Sequence, residues 1–174
     1  LLNHYGIKTP LLSYYEHNRD MRIPKIIETI KSGDSVSLIT DAGTPAISDP
    51  AYKLVRFAIE NKIKVESIPG ASAVLASLVP SGLPTDRFIF EGFLPLKKGR
   101  IKRIKSMQDE IATIILYESP KRLTRTLRQL TEILGDRPAV VARELTKIHE
   151  EYVRGTLKDL YAHFIEKSPK GECV

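Results

Sequence analysis

A chain of 174 residues with 42% hydrophobic side chains can form one large domain or two small ones, and it carries enough apolar material for a core. A single cysteine, Cys173, excludes an intramolecular disulfide, the four histidines at positions 4, 17, 149 and 163 have no zinc-ligand spacing, and no apolar run approaches membrane length, so neither a metal nor a membrane partner is expected. The net charge of +6 and pI near 9.4 suit an acidic partner, nucleic acid being the commonest, and the opening residues lack the features of a secretory signal, so a cytoplasmic location is expected.

Leu2 to Tyr5 reads as the end of a helix closed by Gly6, and Thr9 to Tyr15 as a short strand entered through Pro10. Ile23, Ile26, Ile27 and Ile30 recur at helical spacing, with Gly33 just past their end. Val36, Leu38 and Ile39 then suit a buried strand, which stops at Asp41, Gly43 and Pro45 because strands and helices both disfavour those residues. Asp49-Pro50 supplies a cap and first position for a helix carrying Tyr52, Val55, Ala58 and Ile59 as far as Asn61. Ile63 to Ile68 is a further strand, and Pro69 to Ala73 makes a second break before a small-residue helix through Leu78.

Val79 to Asp86 contains two prolines and a glycine in a polar setting and reads as a linker, giving an amino-terminal lobe over 1–84 and a carboxyl-terminal lobe over 85–174. Past it, Phe88 to Phe93 is strand-like, Lys97 to Glu110 is a basic helix, and Ala112 to Tyr117 is a strong strand. Ser119-Pro120 caps a long helix whose Leu123, Leu127, Leu130 and Leu134 share one face before Gly135. Ala139 to Ala142 resumes a strand, Val153 belongs to another, and Leu157, Leu160, Tyr161, Phe164 and Ile165 mark a last helix before Gly171. Strands and helices alternate on both sides of the linker, so the class is α/β with two lobes. The absence of an initiating Met, and a strand-like Glu172-Cys173-Val174, are read as a chain truncated at both ends.

Open α/β sheets bind ligands at the carboxyl ends of their strands. The loop after Ile39 is therefore read either as a ligand loop, with Gly43 allowing close backbone approach and Thr44 and Ser48 offering hydroxyls, or as an ordinary connection. Lys97, Lys98, Arg100, Lys102, Arg103 and Lys105 form the densest basic run, and Lys121, Arg122, Arg125 and Arg128 add a second face at near-helical spacing. Each is either a phosphate-neutralising surface or a solvated one.

Read together, Asp41-Ala-Gly-Thr-Pro-Ala-Ile-Ser-Asp-Pro50 and Ile68-Pro-Gly-Ala-Ser-Ala73 resemble the tetrapyrrole methylase superfamily. Gly82-Leu-Pro-Thr-Asp-Arg-Phe88, Glu91-Gly-Phe-Leu-Pro95, Tyr117-Glu-Ser119 and Ala142-Arg-Glu-Leu-Thr-Lys147 extend the likeness, over essentially the whole chain, to its ribosomal RNA small subunit methyltransferase I group. That resemblance implies S-adenosylmethionine-dependent 2′-O-methylation of a ribose in 16S ribosomal RNA, on a two-lobed fold with the cofactor in the cleft between lobes, by a homodimer. The group normally opens with a strand and a Pro-Ile-Gly-Asn loop that this sequence lacks, so part of the site is expected to be missing.

Carried over by the resemblance, the cofactor loops fall on Asp41, Ala42, Gly43, Thr44 and Pro45 and on Ser72 and Ala73. The strand ends at Tyr117 and Glu118 and at Ala142 and Leu145 are expected to face the same cofactor, with Tyr117 stacking on adenine. Against these stand Asp41 as a turn residue, Tyr117 packed under a helix, and Arg143 paired structurally with Glu144 or Glu118. A ribose hydroxyl is a weak nucleophile at neutral pH, and Arg143, Glu144 and Lys147 are the candidates for a base or an alkoxide-steadying cation. With an RNA substrate implied, the run Lys97 to Lys105 is read as its contact. The rival readings are a methylase of the same fold acting on a small tetrapyrrole-like molecule, and a non-catalytic RNA-binding module.

Overall fold

In the computed structural model, which describes residues 2–174, one unit ends at Gly70 and a second runs from Ala71 to Val174. The first unit is built on two helices, α1 (Arg19–Lys31) and α2 (Ala51–Glu60). The isoleucines that recur at helical spacing bury one face of α1: Ile23, Ile26 and Ile27 pack with Leu54 and Ala58 of α2, and Tyr14, Ile30, Leu38 and Ile63 close the cluster. Burial of such side chains contributes roughly 1.5–3 kcal/mol each. Asn18 stands at the start of α1, where its side chain accepts from Tyr15 N at 2.8 Å and donates to Ser13 O at 3.1 Å.

The strands expected at Thr9 to Tyr15, Val36 to Ile39 and Ile63 to Ile68 are not formed among the described residues of this unit. A strand exists only through pairing. Leu38 and Ile63 reach the helical core, but their neighbours Val36, Ile39, Val65 and Ile68 are exposed and the segments have no ladder. Likewise Leu2 to Gly6 forms a turn, with Tyr5 N donating to Leu2 O at 3.1 Å, and not the end of a helix.

The second unit contains α3 (Ala73–Leu78), β1 (Phe88–Phe93), α4 (Arg100–Lys105), β2 (Thr113–Tyr117), α5 (Pro120–Leu134), β3 (Pro138–Arg143), β4 (Glu151–Thr156) and α6 (Leu157–Glu166). β1 and β2 are parallel, with the register shifting between Phe90 and Gly92, so that Glu91 is an extra residue in β1. β3 and β4 are antiparallel, with Val141 opposite Val153. Cys173 bridges to Glu118 at the end of β2 and to Arg143 at the end of β3, so the segment before Val174 joins the two pairs. The leucine face of α5 (Leu123, Leu127 and Leu130) and Leu157, Leu160 and Phe164 of α6 build the core against Leu94, Ile104, Met107 and Val141. Thr156 and Asp159 form a reciprocal cap at the start of α6.

Three boundaries differ from expectation. α4 is six residues long instead of spanning Lys97 to Glu110, because Gly99 enters it at φ +83° and turns follow Ser106. β4 is a full strand where Val153 alone stood out, since Glu151, Arg154 and Gly155 conceal its pattern. The units divide at Gly70, ahead of the expected linker at Val79 to Asp86. α3 belongs to the second unit because Val74 and Leu78 pack on Ile115, Tyr152 Oη donates to Ala76 O at 2.7 Å, and Arg154 donates to Ser81 O at 3.1 Å and to Pro80 O at 2.5 Å.

Candidate active site and nucleic-acid surface

In the first unit, the candidate loop follows Thr40 and enters α2 at Ala51. Asp49 Oδ1 accepts from Ala51 N at 2.8 Å, so Asp49 caps the helix from one residue before its Pro50 start. Gly43 has φ +71° with open space where a Cβ would stand, and Ala46 and Ser48 also have positive φ. Asp41, Ala42 and Gly43 are exposed and Thr44 and Pro45 half-buried. A tightly wound loop of small residues thus presents its peptide groups at the surface.

In the second unit, several candidates come together. Ser72 caps α3, its Oγ accepting from Leu75 N at 3.5 Å, and Ala73 is the first helical residue. Tyr117 is half-buried at the end of β2, with ring centroids 4.8 Å from Phe90 and 5.4 Å from Phe93, and it packs with Val74 and Leu78 of α3. Its pKa is raised above 10.0, mainly by burial and against a hydrogen bond from the Val74 backbone. Ala142 is buried and exchanges backbone hydrogen bonds with Val174, which packs against the same Val74, Leu78 and Ile115 cluster as Tyr117. Leu145 is half-buried. Ser72, Ala73, Tyr117 and Ala142 therefore form one neighbourhood around the α3 start and the β2 and β3 ends.

Glu118 departs from its expected part. Its carboxylate is buried and engaged throughout: Oε1 accepts from Ser119 N at 2.8 Å and Arg122 Nε at 2.7 Å, and Oε2 from Thr126 Oγ1 at 2.7 Å and Arg100 at 3.4 Å. The side chain is committed to the protein interior. Ser119-Pro120 does start α5 as expected.

Arg143, Glu144 and Lys147 lie close together but are paired. Arg143 bonds to Glu151, a structural pairing of the kind expected but with a different carboxylate, and donates to Lys170 O at 3.4 Å. Lys147 Nζ is 2.9 Å from both Glu144 and Glu172. Hydrogen bonds from Lys147 and then from the Glu172 backbone hold Glu144 below 4.5, and the Glu172 and Glu144 carboxylates hold Lys147 above 10.5. A general base works best with a pKa near the operating pH, and both groups are moved away from it. Glu144 and Lys147 form a charge pair on a loop wound by the positive φ of Glu144 and Thr146.

Of the basic run, Lys97, Lys98, Lys102 and Lys105 are exposed and have no ion-pair partner among the described residues. Arg103 pairs with Glu91 at 2.5 Å. Arg100 corrects the expectation of an RNA contact: it is 2% exposed, one of the largest fully buried side chains, with its guanidinium bonded to Gln129, Pro95 O, Glu118 and Thr126. On α5, Lys121 and Arg125 are exposed and Arg128 is paired with Glu132 at 3.7 Å. A cavity of about 290 Å³ between β2 and β3 is lined mainly by aliphatic side chains, including Ile115, Leu127, Val141 and Leu160. It offers few convergent polar groups to orient a ligand. No cluster of His, Cys, Asp or Glu suited to a metal occurs among the described residues, and no helix among them is long and apolar enough to cross a membrane.

The model for the Tetrapyrrole (Corrin/Porphyrin) Methylases family matches residues 4–161. Proteins called ribosomal RNA small subunit methyltransferase I are similar along nearly the whole chain. That of Thermotoga maritima is 46% identical over 172 residues, covering 99% of this chain and 78% of its own length. That of Synechocystis sp. is 49% identical over 174 residues, covering 99% and 62%, and that of Mesorhizobium japonicum 49% over 177 residues, covering 100% and 60%. The chain thus spans less than two thirds of the latter two relatives.

Solved methyltransferase structures share the fold. A cobalt precorrin-4 methyltransferase of cobalamin biosynthesis has a TM-score of 0.60 at 18% identity, covering 88% of this chain and 68% of its own. A uroporphyrin-III C-methyltransferase from Thermus thermophilus, complexed with S-adenosylhomocysteine, has 0.58 at 16%, covering 92% and 73%. The chain belongs to the tetrapyrrole methylase family and has its α/β fold.

Proposed function

We propose that the protein to which this chain belongs transfers a methyl group from S-adenosylmethionine to a ribose 2′-hydroxyl of small-subunit (16S) ribosomal RNA, acting as a homodimer in the cytoplasm. The observation that carries the reading is the likeness, at 46–49% identity over at least 99% of the chain, to proteins called ribosomal RNA small subunit methyltransferase I. The four exposed lysines around α4, which have no ion-pair partner among the described residues, support RNA over a small tetrapyrrole, since they suit phosphates along an extended backbone.

The chemistry of the candidate side chains fits the cofactor. Ala42, Gly43, Thr44, Ser72 and Ala73 are small or carry hydroxyls, which suits the uncharged adenosine part, and Tyr117 with Phe90 and Phe93 gives an aromatic surface suited to adenine. Asp41 to Pro45 and Ser72, Ala73, Tyr117, Ala142 and Leu145 each contribute to holding it, Glu118 through its backbone alone. When bound, the cofactor supplies an electrophilic methyl group for in-line displacement, so the protein's task is mostly alignment. Arg143, Glu144 and Lys147 act as a surface charge cluster that steadies the attacking oxygen, not as the proton acceptor.

The test is transfer of a labelled methyl group by the full-length protein to small ribosomal subunits, with the modified nucleotide mapped. Label in a single ribose is the expected result, and absence of label overturns the reading. Reversing Lys98, Lys102 and Lys105 to Glu is expected to weaken RNA binding and to flatten its salt dependence by about 0.7–0.9 in slope for each lost phosphate contact. Equilibrium sedimentation tests the homodimer.

A further inference from the structure

We propose that Arg100 is a positioning residue that fixes the carboxyl ends of β1 and β2 from behind, and so holds the aromatic surface formed by Phe93 and Tyr117 in register for the cofactor. The inference rests on the reading that Tyr117 touches the cofactor. β1 ends at Phe93 and β2 at Tyr117, and their rings meet 5.4 Å apart. Two residues after Phe93, the Pro95 carbonyl accepts from Arg100 Nη1 at 3.2 Å, and one residue after Tyr117, the Glu118 carboxylate accepts from Nη2 at 3.4 Å. The same guanidinium reaches Gln129 Oε1 at 2.8 Å and Thr126 Oγ1 at 2.5 Å on α5.

All three guanidinium nitrogens are thus used, by a side chain 2% exposed, facing a carboxylate 4% exposed. Burying two charges costs several kcal/mol each, and apolar side chains of similar volume often hold a core equally well or better. What an aliphatic side chain cannot do is set directions. A planar fork with donors on fixed vectors ties both strand exits to one helix, and a small displacement of a positioning group can cost about a hundredfold in rate. Arg122, in the first turn of α5, binds the other oxygen of Glu118 and keeps that carboxylate from turning.

The test uses the full-length protein and S-adenosylhomocysteine as the calorimetric probe, at a temperature well below each variant's melting point. Arg100→Lys keeps the charge and removes the fork, and is expected to weaken probe binding about tenfold. Thr126→Val, a milder change, is expected to weaken it severalfold. The double variant Arg100→Met with Glu118→Leu is expected to recover the parent's melting temperature but not its affinity. Parental affinity in folded Arg100→Lys or Thr126→Val, or recovery of affinity together with stability in the double variant, would overturn the proposal. Tyr117→Ala is measured alongside: parental affinity there removes Tyr117 from the cofactor site and defeats the underlying reading. Weakened binding in Tyr117→Ala with parental binding in Arg100→Lys defeats the positioning role alone.

Discussion

The carboxyl ends of β2 and β3 present similar residues, a Glu with an Arg close by, and use them in opposite ways. At β2 the Glu118 carboxylate is buried among Arg100, Arg122 and Thr126, joining a strand end to two helices. At β3 Glu144 lies toward the surface, bonded to Lys147 and to the Glu172 backbone, and its neighbour Arg143 pairs with Glu151. One carboxylate is a fixed part of the interior and the other belongs to a surface network open to water and protons. Burial, not residue type, decides which end is rigid.

The largest effect is expected from Glu118→Ala, which strands a buried guanidinium: a loss of about 3–5 kcal/mol in urea unfolding. A loss no larger than that of Glu144→Ala would break the contrast. Next is Gly171→Ala. Gly171 has φ +79°, and a Cβ there would lie 1.9 Å from Glu144 Oε1, so the change strains the backbone and displaces the carboxylate. A loss of about 1–2 kcal/mol is expected from the left-handed conformation alone.

The smallest effect is that of Glu144→Gln, and it sharpens the contrast through pH. Because Lys147 and the Glu172 backbone depress the pKa of Glu144 below 4.5, its contribution is present above that value and is lost as pH falls through the folded-state pKa. Lys147, raised above 10.5, gives a contribution that is complete below 10.5 and lost as pH rises through its folded-state pKa. The difference in urea midpoint between parent and Glu144→Gln should therefore be small but constant across neutral pH and vanish in acid. A difference that persists at pH 2 would contradict the pairing.

Local patterns were legible in the sequence and partnerships were not. The isoleucines of α1, the leucines of α5 and the strands β1 and β2 were readable because each pattern is a short period in apolar residues. The apolar segments around Leu38 and Ile63 read as strands from composition, yet pairing is non-local and those segments lack it among the described residues. Arg100 was hidden in a run of six cations. Its signal was its spacing: Arg100 and Ile104 are four apart on α4, with Met107 three further on, so the arginine falls on the apolar side of its own helix. Glu118, just ahead of α5, and Arg122 and Thr126 on it are spaced four apart and mark a brace where the strand-end rule suggested a ligand contact.

The bridge made by Cys173 turns the only thiol of the chain into a reporter of opening. Burial pushes its pKa up to about 11, and thiolate is the form that reacts with alkylating reagents. At neutral pH the native thiol should stay unmodified until the segment joining β2 to β3 detaches. The rate of labelling then measures how often that seam opens, without any engineered probe. Slow labelling in the parent and faster labelling in Gly171→Ala are expected, as followed by mass spectrometry, and equal rates would mean that the seam opens independently of the Glu144 contact.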